Sequence, residues 1–307
     1  MTSTTTPRVL ASDMPFVSSD TIAYGSTQEE RDYLFDLQGF TIVKNCLTSN
    51  QLQEINGWVD ENMRDDLQPG EWIGDVQVHT YGSKDGVNFQ NIVEAGPVFW
   101  NLLTNPAYFE DVKRYICSEM HHIAVDELFL NVRRTGGFIP IHSGGTNTRF
   151  TSRFRNQAGR WAVGQINVLM ALTDIGHGDG PTTVVPCSHK AMEDHPQLAN
   201  AWDKDNPVSG ATALGMVEVH LKAGEALMFT DGMSHGSMPR TSDGERRVMI
   251  YRYSPHLLAK RFGYLPSKRL MEAVGPEVTK MLVGIEPRVR PGRTIEAGEF
   301  DGLGYHT

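Results

Sequence analysis

Cysteine is scarce in this chain: three among 307 residues, Cys46, Cys117 and Cys187, odd in number and far apart. That excludes a disulfide framework and a cysteine-built zinc site, and it makes a reducing, cytoplasmic setting the expectation. Long apolar runs are missing too, since nothing approaches the roughly 20 residues of a membrane helix. The leading residues, MTSTTTPRVLASDMPF, show no basic segment followed by an apolar one, so neither a membrane span nor a secretory signal is expected. Basic residues are in the minority, 28 Lys+Arg against 37 Asp+Glu for a net charge of −9, which argues against a nucleic-acid polymer as partner. With 39% hydrophobic and 21% charged residues, what remains is an acidic globular chain able to build a core, expected to act on a small molecule.

The chain carries no internal repeat and no linker, so one domain over 1–307 is expected, with residues 1–27 a loose tail. From Gln28 the spacing of Tyr33, Leu34 and Leu37 is helical and stops at Gly39; the run Phe40–Val43 is β-branched and predicts a strand. Thr48 with Gln51 three residues later predicts a capping box for a helix bearing Leu52, Ile55, Val59 and Met63. Over 121–255 the character turns to short apolar runs bounded by Gly, Pro, Asn and Asp: Glu127–Arg134, Phe138–His142, Gln165–Asp174, Thr182–Pro186, Val217–Leu221, Ala226–Thr230 and Arg247–Tyr253. Such runs predict a sandwich or barrel. After Ser267 a closing helix is expected, interrupted at Gly275-Pro276. The fold class is therefore α+β, a β core between N-terminal and C-terminal helices.

Among eleven histidines, His142 and His235 stand out. Each ends a predicted strand beside glycine, which lets an imidazole project into a barrel mouth. Arg246 begins the next strand, where it can return to the same cavity and hold a carboxylate in a bidentate bridge. Arg247 competes for that role, because neighbouring strand residues face opposite ways. Gln165 and Asn167 share a strand face and are expected to point together into the cavity as hydrogen-bond partners. Trp161 is expected in the core.

The segments Gly180-Pro181-Thr182-Thr183-Val184-Val185-Pro186-Cys187-Ser188-His189-Lys190 and Leu221–Phe229, and His235-Gly236-Ser237 running on to Arg246, together resemble the phytanoyl-CoA dioxygenase family of Fe(II)/2-oxoglutarate oxygenases. The Gly39–Lys44 strand before the Leu52 helix fits the same family, and the resemblance covers about residues 28–265. It implies a double-stranded β-helix, or jelly roll, with iron at one open end and O2 as co-substrate. It also implies His142 and His235 as iron ligands, Arg246 as anchor for the 2-oxoglutarate C5 carboxylate and Ser237 as a further hydrogen bond to it. His189 falls in the family's proline–serine–histidine turn, with a structural role.

The family's first motif is normally His-X-Asp or His-X-Glu, whereas this chain has His142-Ser143-Gly144. Glycine ligates nothing. The same substitution marks the iron/2-oxoglutarate halogenases, so the resemblance implies chloride at the position beside Gly144 and transfer of chlorine to a substrate carbon. Alternatively water or a distant carboxylate, Asp126, Glu127 or Asp179, completes the iron and the product is an alcohol. A third reading is a non-catalytic jelly-roll binding protein. The loop after His142 carries Arg149, Arg153 and Arg155 among phenylalanines, either as a solvated loop or as a lid that meets a phosphate or carboxylate of the substrate.

Overall fold

A computed structural model describes residues 14–21, 24–79, 86–116, 123–134, 136–143, 153–256, 258 and 265–283. The helices are α1 (Gln28–Gln38), α2 (Ser49–Asn62), α3 (Pro97–Trp100), α4 (Phe109–Ile116) and α5 (Lys268–Val283). The strands are β1 (Phe16–Val17), β2 (Phe40–Val43), β3 (Trp72–Ile73), β4 (Val76–His79), β5 (Val87–Gln90), β6 (Ile123–Arg133) and β7 (Asn156–Gln157), then β8 (Arg160–Trp161), β9 (Ile166–Ala171), β10 (Thr182–Val184), β11 (Val217–Val219), β12 (Ala226–Thr230), β13 (His235–Ser237) and β14 (Arg246–Pro255).

Two helices begin on capping boxes. The Thr48 hydroxyl accepts from the Gln51 N–H while the Gln51 side chain accepts from the Thr48 N–H, and Thr27 with Glu30 repeats the device at α1. Each satisfies donors that a first helical turn leaves open. Gly39 closes α1 at φ +84°, a conformation glycine adopts without strain, and turns the chain into β2. α5 is broken where expected, with Gly275 at φ +75° ahead of Pro276.

Eight strands form one sheet in the order β2-β12-β9-β14-β6-β5-β4-β3, and four form another in the order β1-β11-β10-β13. The middle of β14, residues 248–251, is apolar because it is buried on both faces. Met249, Tyr251 and Tyr253 join the core beneath the helices with Phe35, Ile55 and Phe99. Val248 and Ile250 face the other way, toward the second sheet, in a core with Phe40, Leu169, Val184 and Phe229. Two facing, largely antiparallel sheets with helices outside one of them make the double-stranded β-helix with supporting helices that was expected.

Several boundaries differ. The large sheet recruits β2 to β5, so the β structure starts well before residue 121. Phe16–Val17 is not loose tail but a strand, paired parallel with Glu218–Val219; residues 1–13 lie outside the described set. Phe138–His142 forms no strand: Pro140 has no N–H to give a ladder, and only His142 pairs, through an isolated bridge to His235. No helix among the described residues is long and apolar enough to cross a membrane.

Candidate active site

The second sheet delivers one histidine directly, at the start of β13, and the extended segment beside it delivers the other. His142 N–H donates to His235 C=O and His235 N–H to His142 C=O, both at 2.8 Å, so the backbone itself sets the two imidazoles side by side. Their ring centroids lie 4.1 Å apart. Each Nδ1 meets a carbonyl two residues back, Pro140 O at 2.9 Å for His142 and Met233 O at 2.8 Å for His235. A carbonyl only accepts, so Nδ1 carries the proton, and in the neutral ring that leaves the lone pair on Nε2, the tautomer a metal ligand needs.

Both histidines line a cavity of about 270 Å³ between the sheets. At one end stands Arg246, 3% exposed, with NH1 donating to Asn131 Oδ1 at 3.4 Å and NH2 to Thr182 Oγ1 at 3.1 Å. Its Nε has no partner, and no carboxylate pairs with it among the described residues. Burial, then the charges of Arg133 and Arg240, push this guanidinium well below its usual value. Arg133 is its direct neighbour across the β14–β6 ladder and is 1% exposed. Two buried cations side by side call for an anion.

Ser237 adds direction. Its Oγ accepts from Arg133 NH1 at 2.9 Å and from the Ile139 N–H at 2.8 Å, which leaves the hydroxyl proton to donate to that anion. Arg247, the competitor, faces the helices instead, paired with Asp60 and Glu245 and donating to Asn56 Oδ1. Strand alternation thus selects Arg246 for the cavity.

Asn167 lines the cavity as expected; Gln165 lies behind it, bonding Asn167 Oδ1 and Asp231 Oδ1, each at 3.2 Å. Of the arginine loop, Arg153 is half-buried and Arg155 exposed, and neither lines the cavity. Between them Phe154 is buried against His189 and Trp161, and Trp161 is in the core as expected. Gly144 and Arg149 lie outside the described residues. Asp179 pairs with Arg240 and Glu127 with Arg252, and neither they nor Asp126 line the cavity. Among the described residues no group of three His, Cys, Asp or Glu is placed to hold a metal. His189 is structural: buried, with Nε2 3.1 Å from Asp36 O, and pushed down to about 4 by burial.

The sequence reading missed Arg133, Asn131, Thr182, Asp231 and Trp202. Asn131 and Arg133 share the phase of Phe129 on β6, and Thr182 is in register with Ser237. Asp231 continues the phase of Phe229 on β12 and so was open to detection, whereas Trp202 comes from a distant loop with no periodicity.

These residues fit a divalent metal with a dicarboxylate: two imidazoles whose Nδ1 is held by a carbonyl, and a buried cationic end with hydroxyl neighbours, where no carboxylate pairs with Arg246 among the described residues. Among solved structures the chain is similar to HygX from Streptomyces hygroscopicus with nickel and 2-oxoglutarate bound, at a TM-score of 0.64 and 16% identity over 80% of this chain and 94% of that one. HygX with iron bound gives a TM-score of 0.62 at 16% identity, with the same coverage of both chains. The non-heme alpha ketoglutarate dependent epimerase SnoN from nogalamycin biosynthesis gives 0.50 at 14%, over 74% of this chain and 82% of that one. At these identities the likeness is one of fold. A search of curated proteins finds no match. The family model for phytanoyl-CoA dioxygenase (PhyH), by contrast, matches residues 35–248, a span that takes in both histidines and Arg246. The chain belongs to the phytanoyl-CoA dioxygenase family of Fe(II)/2-oxoglutarate-dependent oxygenases.

Proposed function

We propose that the protein acts on an aliphatic C–H bond of a small molecule and that the reaction is chlorination. The observation that carries this is the missing carboxylate: Gly144 stands where the family's metal-binding Asp or Glu would be, and no described carboxylate joins the two histidines. His142 and His235 would hold Fe(II) through Nε2. Arg246 would take the C5 carboxylate of 2-oxoglutarate, with Ser237 and Thr182 as hydroxyl neighbours and Asn167 near the opposite end. When bound, the metal and 2-oxoglutarate supply the O2 activation that removes hydrogen from an unactivated carbon. Phe229, Leu169, Val248 and Ile250 give the cavity an apolar wall. Gly144 has no side-chain ligand, so the metal set lacks one ligand and one negative charge that a chloride ion would supply. Arg153 and Arg155, expected to meet a substrate phosphate or carboxylate, do not line the cavity, and Arg149 lies outside the described residues.

The test is product mass after incubation with Fe(II), 2-oxoglutarate, ascorbate and candidate substrates, with and without chloride. The expected product carries the chlorine isotope pair, and Gly144→Asp is expected to abolish it. A product that gains only oxygen, at a rate indifferent to chloride, would make the protein a hydroxylase.

A further inference from the structure

The cavity has a second polar end of opposite sign. Arg246 and Arg252 are six residues apart on the cavity face of β14, about 20 Å at ~3.3 Å per residue. At the level of Arg252 the ladder places Asn167, and beside Asn167 lies Phe229, whose ring is 4.8 Å from that of His235. Asp231 follows Phe229 on the same face and lines the cavity at 5% exposure. Its Oδ1 accepts from Gln165 Nε2 at 3.2 Å and Asn167 Nδ2 at 3.5 Å, whereas its Oδ2 has no partner. Arg252, the cation in register with Asn167, is committed to Glu127 at 2.6 Å, and no ion pair reaches Asp231 among the described residues.

A carboxylate held by amides on one oxygen and left without a donor on the other, inside a ligand-sized cavity, is a receptor for a donor on the ligand. A charge-assisted donor matches it best. The aromatic rings nearby suit the same charge: Phe229 within the cavity, and Trp202 at its mouth, 58% exposed with its ring 6.2 Å from that of His142. We propose that the cavity takes a substrate bearing a protonated amine, seated on Asp231 Oδ2. This rests on the cavity being the substrate chamber of the reaction proposed above, with the amine end fixed near the histidines while 2-oxoglutarate occupies the arginine end.

The test is titration calorimetry with n-hexylammonium, 1-hexanol and hexanoate, on the protein loaded with Ni(II) and 2-oxoglutarate and on the metal-free protein. Hexylammonium is expected to bind at least about tenfold more tightly than the other two. Asp231→Asn is expected to erase that preference while affinities for Ni(II) and 2-oxoglutarate stay within about twofold. The proposal is overturned if wild-type protein ranks the three probes equally, if Asp231→Asn keeps the preference, or if that variant loses Ni(II), which would make Asp231 a metal ligand. Should Asp231→Asn fail to fold, the wild-type ranking decides alone. Failure of wild-type protein to bind Ni(II) or 2-oxoglutarate would count against the proposed function, and the ranking in metal-free protein would still decide for or against the amine.

Discussion

Arg246 and Arg247 are adjacent in sequence and opposite in circumstance. Arg247 spends its charge on Asp60 and Glu245, half-buried beside α2, while Arg246 is buried with amide and hydroxyl partners only and faces Arg133. Replacing Arg246 by Met should therefore weaken 2-oxoglutarate binding by roughly 30-fold or more, the effect of truncating one partner of a buried charge pair. The same change should raise the melting temperature of the ligand-free protein, because it removes a buried cation from beside another. Arg247→Met should do the reverse, leaving 2-oxoglutarate affinity within about twofold and lowering stability by ~1 kcal/mol. Binding titration and thermal melts on the two variants check both halves. At this scale the glycines beside His142 and His235 drew attention to both, although no strand ends at His142 and His235 opens one, and strand phase narrowed the arginine to two neighbours. It was mute on Arg133 and Trp202, whose importance comes only from what distant segments bring to them.

The join between α1 and β2 depends on a close fit. Gly39 needs φ +84°, and a Cβ placed on it would lie 2.5 Å from His189 Nδ1. His189 in turn is held neutral by burial, at about 4 against an ordinary 6.5. Because the folded value is the lower, the unfolded chain takes up the proton first. Stability from this residue is thus complete above about pH 6.5 and is lost as pH falls toward 4, by up to ~3 kcal/mol. Denaturant titrations over that range should show the slope, and His189→Gln should flatten it. Elements of regular pattern were readable in advance: the Thr48 capping box, Phe40–Val43, Ala226–Thr230 and the break at Gly275. Phe138–His142 deceived because apolar residues around Pro140 have strand composition but, with no N–H at Pro140, only an isolated bridge instead of a continuous ladder, and His235–Ser237 escaped because three residues with a central glycine read as a turn. β4 and β5 alternate, as Val-Gln-Val-His and Val-Asn-Phe-Gln, but over four residues each, too short a run to separate from loop.

The large sheet orders its strands β2-β12-β9-β14-β6, so nearly every neighbour is remote in sequence. Composition and spacing indicated a sandwich or barrel, and the resemblance to a known family implied a double-stranded β-helix, but which strands adjoin is decided by a register that only the structure gives. The architecture divides the site: His235 belongs to the smaller sheet and Arg246 to the larger. A ligand held at both ends ties the two sheets together. Ni(II) with 2-oxoglutarate at about 100 times its dissociation constant should stabilise the protein by ~2.7 kcal/mol if it binds only the folded state, seen as a rise in melting temperature. 2-Oxoglutarate alone should give less, and Arg246→Met should cancel its share.

The reciprocal pair of amide bonds between His142 and His235 has a consequence for how this enzyme can change. A metal seat whose bite is set by main chain depends little on the identity of the side chains packed about it. Positions such as Asp231, Ile250 and Trp202 can then drift, exchange charge or lose bulk, and redirect the chemistry to new molecules, while the seat stays where the backbone put it. The reaction and its target are separately mutable.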